Sequence, residues 1–172
     1  MDPVPFPPMP RYLETERLVL TPETAQDAGW LAELFTTRGR GPVSVDEARE
    51  RIAAMEDVVA RLGIGARVLR PKDGGDALGY SAIVVGRGTV AEPQLAYELL
   101  PAARGQGSAT EASRAVLEAA FATGRSRIWA TVASWNAPSF RVLDKLGFRR
   151  DHVTPGDDGD IVWMLAERRR PS

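Results

Sequence analysis

The chain of 172 residues carries 22 Lys and Arg against 23 Asp and Glu, and this formal net charge of −1 gives no basic footprint for nucleic acid or an anionic membrane. It has no cysteine and one histidine, His152, which excludes disulfides, thiolate metal sites and a cysteine nucleophile and argues against a histidine-built metal centre. Hydrophobic content of 44%, no apolar run of membrane-spanning length and no signal-peptide pattern at the start set the expectation of a soluble cytoplasmic protein with one core.

Residues 1–11 include five prolines, at positions 3, 5, 7, 8 and 10, and read as a disordered Pro-rich leader. A single domain is expected over 12–168, with 169–172 as a solvated tail. Thr15 to Thr21 reads as a strand. Thr24 then caps a helix whose apolar face holds Ala28, Leu31, Leu34 and Phe35, with Trp30 off that stripe. Arg38-Gly39-Arg40-Gly41-Pro42 reads as a solvated connector rather than a phosphate loop. Ser44-Val45-Asp46-Glu47 matches a capping box, and Ala48, Ile52, Met55, Val59 and Leu62 continue it as an amphipathic helix stopped by Gly63. Strands over 64–70 and 78–85 flank the turn signal Pro71 to Asp76 and predict an antiparallel hairpin.

The stretch from Leu95 to Phe121 organises the rest. It reads as a strand, a Pro-broken turn, a loop with Gly105 and Gly107, and a long helix. A helix start presents unpaired N–H groups and the positive end of the macrodipole, so one reading is an anion site on the N–H groups of Gly105 to Thr110. The other is a strand-to-helix turn that needs glycine only for its geometry. Ile128 to Val132 is a further strand, Asn136 and Pro138 open a helix, and strands over 148–153 and 160–166 form a second hairpin. A helix crossover between the strands at 95–100 and 128–132 implies a parallel pair, and the hairpins imply antiparallel pairing elsewhere.

This element order, with Arg104-Gly105-Gln106-Gly107-Ser108-Ala109, resembles the GCN5-related N-acetyltransferase superfamily, whose pyrophosphate loop reads [Q/R]-x-x-G-x-[G/A]. Ala109-Thr110-Glu111-Ala112 is similar to the A-T-E-A of its ribosomal-protein-alanine N-acetyltransferase branch. The segment Asn136 to Phe148 resembles that branch's N-x-x-S-x-x-x-x-x-K-x-G-F, and the likeness extends over about residues 13 to 166. The resemblance implies an α/β (α+β) acyl-CoA N-acyltransferase fold. Its sheet would be mixed and mostly antiparallel, of six to seven strands with a central splayed parallel pair, and four helices would lie on both faces. The implied activity is acetyl transfer from acetyl-CoA to a primary amine, small-molecule or peptide, in a ternary complex without metal, in a protein that is a homodimer in much of the branch.

By the same resemblance the pyrophosphate sits on Arg104, Gly105, Gln106, Gly107, Ser108, Ala109 and Thr110. The pantetheine arm pairs with backbone near Leu99 and Leu100, and Asn136 hydrogen-bonds it. Many superfamily members protonate the leaving thiolate with a Tyr two residues before the Lys of the second motif. Leu143 stands there in this chain, and Ser139 occupies the position given that role in the branch. The loop-bearing strand has Gln94 where a basic Glu is common. Glu98 lies on the same strand face and is the candidate base, with Asp160 and His152 as further candidates. Two competing readings are a non-catalytic acyl-CoA sensor and a transferase using another donor such as succinyl-CoA, for which Arg38, Arg40 or Arg141 would supply a counter-charge.

Overall fold

A computed structural model of the protein describes residues 4–171. Its strands are β1 (Leu13–Glu14), β2 (Leu18–Pro22), β3 (Ala66–Pro71), β4 (Gly79–Val84), β5 (Gln94–Leu99), β6 (Arg127–Ala133), β7 (Arg149–Thr154) and β8 (Ile161–Glu167). They form one sheet in the order β1-β2-β3-β4-β5-β6-β8-β7. Eight strands replace the six to seven expected. The extra one is β1, two residues too short to show a period, which Thr15 folds back onto β2 with its amide donating to the Leu18 carbonyl at 2.9 Å. Among the described residues β5 and β6 are the one parallel pair, as the crossover helix requires, and all other pairings are antiparallel.

Helices α1 (Ala28–Thr36), α2 (Val45–Leu62), α3 (Ser108–Ala122) and α4 (Ala137–Lys145) cover the two faces. Register sets who lies where. Leu20, Leu69, Gly79 and Leu99 stand side by side, as do Ile83 and Leu95, so these residues share a face. They join Ala112, Val116 and Ala120 of α3 and Phe140 and Leu143 of α4 in the main core. The small side chains of α3 let it lie close, and a buried Ser81–Ser113 hydroxyl pair, 3.0 Å apart, joins it to β4. The opposite face carries Tyr80 and meets Leu31, Leu34, Ala48 and Ile52 of α1 and α2 in a second core. The predicted capping box opens α2: Ser44 Oγ accepts from the Glu47 amide at 3.1 Å and Glu47 Oε2 from the Ser44 amide at 2.8 Å.

The disordered leader expected for 1–11 does not describe residues 4–11; residues 1–3 lie outside the described residues. Met9 is only 3% exposed within the main core, and its amide donates to the Gly63 carbonyl at 2.9 Å. Arg67 donates from Nε to the Pro10 carbonyl at 3.0 Å and from Nη1 to the Gly65 carbonyl at 3.1 Å. Burial, with the nearby Arg11 charge, lowers its pKa to about 10. Gly63 stops α2 at a φ of +69°, and a side chain there would strike Pro8. Proline keeps this segment out of the sheet ladder, and the buried Arg67 ties it down instead at the Pro10 carbonyl.

One polar tie holds the start of α3. Glu111 accepts from Thr15 Oγ1 at 2.5 Å, from the Arg17 amide at 3.0 Å and from Arg17 Nε at 2.7 Å, and Arg17 Nη2 reaches the Gln106 carbonyl at 3.1 Å. Desolvation opposes charge on Glu111, but the Thr15 and Arg17 hydrogen bonds and the guanidinium charge outweigh it and hold the carboxyl below its ordinary range.

Two outcomes follow from these contacts. Met9→Ala should lower unfolding free energy by about 2–5 kcal/mol in urea titration, the cost of emptying a buried methionine site, whereas a disordered leader would give no change. Glu111→Gln should lower the melting temperature at neutral pH by about 2–4 °C per kcal/mol lost. Because the native pKa is depressed, that deficit is present above the ordinary carboxylate range and closes as pH falls through the native value, which a melting series down to pH 3 would read.

Candidate active site

β5 and β6 start as neighbours and then part. Their register holds a single pair, Gln94 with Trp129, and the Trp129 amide donates to the Pro93 carbonyl at 2.9 Å. Beyond it the two strands diverge around a cavity of about 830 Å³. The lining includes Tyr97, Glu98 and Leu99 of β5, Arg104, Gly105 and Ala109 from the loop and start of α3, and Asn136, Pro138, Ser139 and Val142 of α4. Thr37, Arg38 and Arg40 after α1, with Trp135, close the remaining side. Two motifs some thirty residues apart in the sequence thus meet on one cleft.

Backbone direction decides what β5 offers. The Leu100 amide donates to the Leu78 carbonyl and the Leu100 carbonyl accepts from the Ala103 amide, each at 2.9 Å. Both Leu100 groups are therefore taken, so its expected role in holding an extended ligand does not fit. By alternation the N–H and C=O groups of Tyr97 and Leu99 face the splay instead. Arg104 Nε donates to the Leu99 carbonyl at 3.3 Å, which folds the Arg104 side chain back over the strand end.

The glycine loop turns through positive φ at Gly105, +78°, and Gly107, +80°. A Cβ at Gly105 would meet no atom within 4 Å, and one at Gly107 would meet Arg17 Nη2 at 3.5 Å, so the loop backbone is open to a ligand. The first bond within α3 runs from the Glu111 amide to the Gly107 carbonyl at 3.0 Å. The amides of Ser108, Ala109 and Thr110 precede it and have no partner within the helix. These groups, with Arg104 and Arg17 alongside, suit a diphosphate.

Asn136 caps α4, its Oδ1 accepting from the Ser139 amide at 3.3 Å. The Ser139 side chain stands in the first turn of α4, on the cavity wall. Tyr97, missed in the sequence because a strand tyrosine looks like core, reaches across the splay and donates from its hydroxyl to the Ser139 carbonyl at 3.3 Å. Burial raises the Tyr97 pKa, opposed in part by the Ser139 side chain, and the phenol is neutral at physiological pH. Leu143, at the superfamily tyrosine position, is 1% exposed and belongs to the core.

Glu98 is on the cavity wall but is not a free carboxylate. Tyr80 donates to it at 2.7 Å, and Arg38 grips it side-on, with Nε at 3.1 Å and Nη2 on the other oxygen. That fills three of the roughly four acceptor positions of a carboxylate. Burial, reinforced by Glu98, holds the Tyr80 phenol above its ordinary range, so it remains the donor. The connector 38–42 is exposed throughout, as its sequence reads, and adds Arg38 and Arg40 to the site wall. Gln94 accepts from the Arg87 amide at 3.2 Å and supports the β4–β5 loop. His152 stacks on Trp163 with ring centroids 5.0 Å apart, on the edge strand β7 away from the cavity, and the Asp160 carbonyl accepts from the Ser134 amide at 2.9 Å in the β7–β8 turn. No helix among the described residues is long and apolar enough to cross a membrane.

Comparison with known proteins agrees with this geometry. Residues 17–149 match the family model described as acetyltransferase (GNAT) domain. The chain is 30% identical over 154 residues to the uncharacterized N-acetyltransferase YoaA of Bacillus subtilis strain 168, covering 82% of this chain and 84% of that protein. Among solved structures, yncA of Salmonella typhimurium, determined with its cofactor acetyl-CoA, superposes with a TM-score of 0.73 at 20% identity, covering 87% of this chain and 93% of that one. The ribosomal-protein-S5-alanine acetyltransferase of Vibrio fischeri gives 0.75 at 18% identity, covering 91% and 96%. At such identities the solved structures speak for the fold, and the matched family model, over most of the length, speaks for descent: the chain belongs to the GNAT family of acetyltransferases.

Proposed function

We propose that the protein transfers an acetyl group from acetyl-CoA to the nitrogen of a primary amine, the two substrates being held together in the splay between β5 and β6. The observation that carries this reading is the meeting of the α3 glycine loop, the unpaired side of β5 and the capped start of α4 on one cavity. Gly105, Gln106, Gly107, Ser108, Ala109 and Thr110 would hold the pyrophosphate through backbone N–H groups, with Arg104 adding charge. Leu99, and Tyr97 in place of Leu100, would pair with the amide-bearing arm, and Asn136 and Ser139 would flank its end.

When bound, the donor supplies an activated thioester, so the protein's task is orientation and charge stabilisation. Ser139, in the first turn of α4 and near the positive end of its dipole, would face the departing sulfur, with the neutral Tyr97 hydroxyl beside it. Glu98, bound by Arg38 and Tyr80, is better suited to shaping the acceptor side than to removing a proton. The attacking amine would lose its proton to water through the mouth between Arg40 and Trp135, where Trp135 is 70% exposed.

Incubation with acetyl-CoA and an amine panel should release free thiol, read with a chromogenic disulfide. Acetyl-CoA that binds tightly and is discharged by no amine would favour a sensor instead. Gly107→Asp should raise the dissociation constant for CoA on the order of 100-fold, because it sets a carboxylate where the pyrophosphate docks. Unchanged affinity in calorimetry would refute the docking site.

A further inference from the structure

We infer that the amine acceptor bears a carboxylate close to its nitrogen, as a free α-amino acid does, and that Arg38 is the residue that anchors it. This rests on the acyl-transfer reading and concerns the acceptor side of the same cavity. Tyr80 and Glu98 stand on the sheet face covered by α1 and α2, opposite the face that carries α3. A group meeting Arg38 from inside the cavity therefore approaches from across the sheet relative to the glycine loop.

The Arg38 guanidinium is held in one plane. Glu98 takes Nε and Nη2, the Tyr80 oxygen lies 3.2 Å from Nη2, and the Phe35 ring lies 4.4 Å from the guanidinium carbon. No hydrogen bond among the described residues engages Nη1, although Arg38 lines the cavity. Nη2 spends its two protons on Glu98 and Tyr80, so Nη1 is the nitrogen left to donate, and it can meet a carboxylate oxygen. Glu98 and Tyr80 then act as positioning residues that fix Nη1 in place.

Charge on the wall points the same way. Arg40, two residues on, lines the same cavity, and its guanidinium is 84% exposed and 3.9 Å from Asp158 across the mouth. The one acidic side chain lining the cavity, Glu98, is already neutralised by Arg38. A polyamine would meet Arg40 and no free carboxylate, whereas an amino acid would place its carboxylate between Arg38 Nη1 and Arg40 and its nitrogen toward the splay.

Isothermal titration of the CoA-saturated protein with common α-amino acids, each paired with its α-carboxamide, tests this. At least one amino acid should bind 10-fold or more tightly than its carboxamide. Arg38→Met should reduce that gap to about 2-fold, and Arg40→Gln, at an exposed position, should narrow it about 3-fold. No gap for any pair, or a gap that survives Arg38→Met in protein with a parental melting temperature, would overturn the assignment. So would succinyl-CoA binding 10-fold more tightly than acetyl-CoA in an Arg38-dependent way while amino acids and carboxamides bind alike, since Arg38 would then serve the acyl chain. Should Arg38→Met fail to fold, a gap unchanged in Arg40→Gln and Glu98→Gln would count against the anchor. Thiol release from acetyl-CoA reads transfer separately: a binding gap without release supports the anchor and refutes transfer, and release without a gap does the reverse.

Discussion

The separation of β5 from β6 after one paired position is the constraint on which the rest depends. A parallel pair inside a sheet ordinarily satisfies each backbone group in its ladder, and leaving Tyr97 and Leu99 facing a gap forfeits that. The strands can part because other contacts hold them. β5 is paired along its length with β4, and β6 along its length with β8, so each has a complete partner on its outer side. The open inner edges are then free to bind an extended, amide-bearing ligand as a strand would.

The same opening explains why both helices that follow these strands begin at the cleft. α3 leaves β5 and α4 leaves β6 at the splayed end, and each presents its positive terminus there. The two starts are secured differently. α3 has no side-chain cap, its N-cap being Gly107, and Glu111 instead bolts its first turn to Thr15 and Arg17. α4 is capped by Asn136 from within its own turn. A glycine N-cap leaves the first α3 amides open, while a side-chain cap on α4 orders Ser139.

Much of this was legible. The capping box at Ser44, the two hairpins, the crossover between β5 and β6 and the glycine loop are local patterns, and local backbone preference decides them. Less was legible where a residue's partner is distant. Nothing near the prolines of the leader showed that Met9 would fill a core or that Arg67, 57 residues on from Pro10, would meet its carbonyl. Leu100 looked equivalent to Leu99 until strand pairing showed its amide bound to Leu78. Glu98 had the right type and face for a base, yet Arg38 lies 60 residues away in a stretch that reads as a connector.

The amino-acid sequence by itself determined the order of elements, the glycine turn before α3 and the two motifs that point to the family, because each is set by residues within about a dozen positions of one another. Only the tertiary structure decided which backbone groups of β5 face the splay, which arginine meets Glu98 and which carboxylate is already engaged. Those outcomes depend on strand register and on side chains brought together from the connector after α1, β4 and β5, and a one-residue shift in register would have sent Glu98 to the other face.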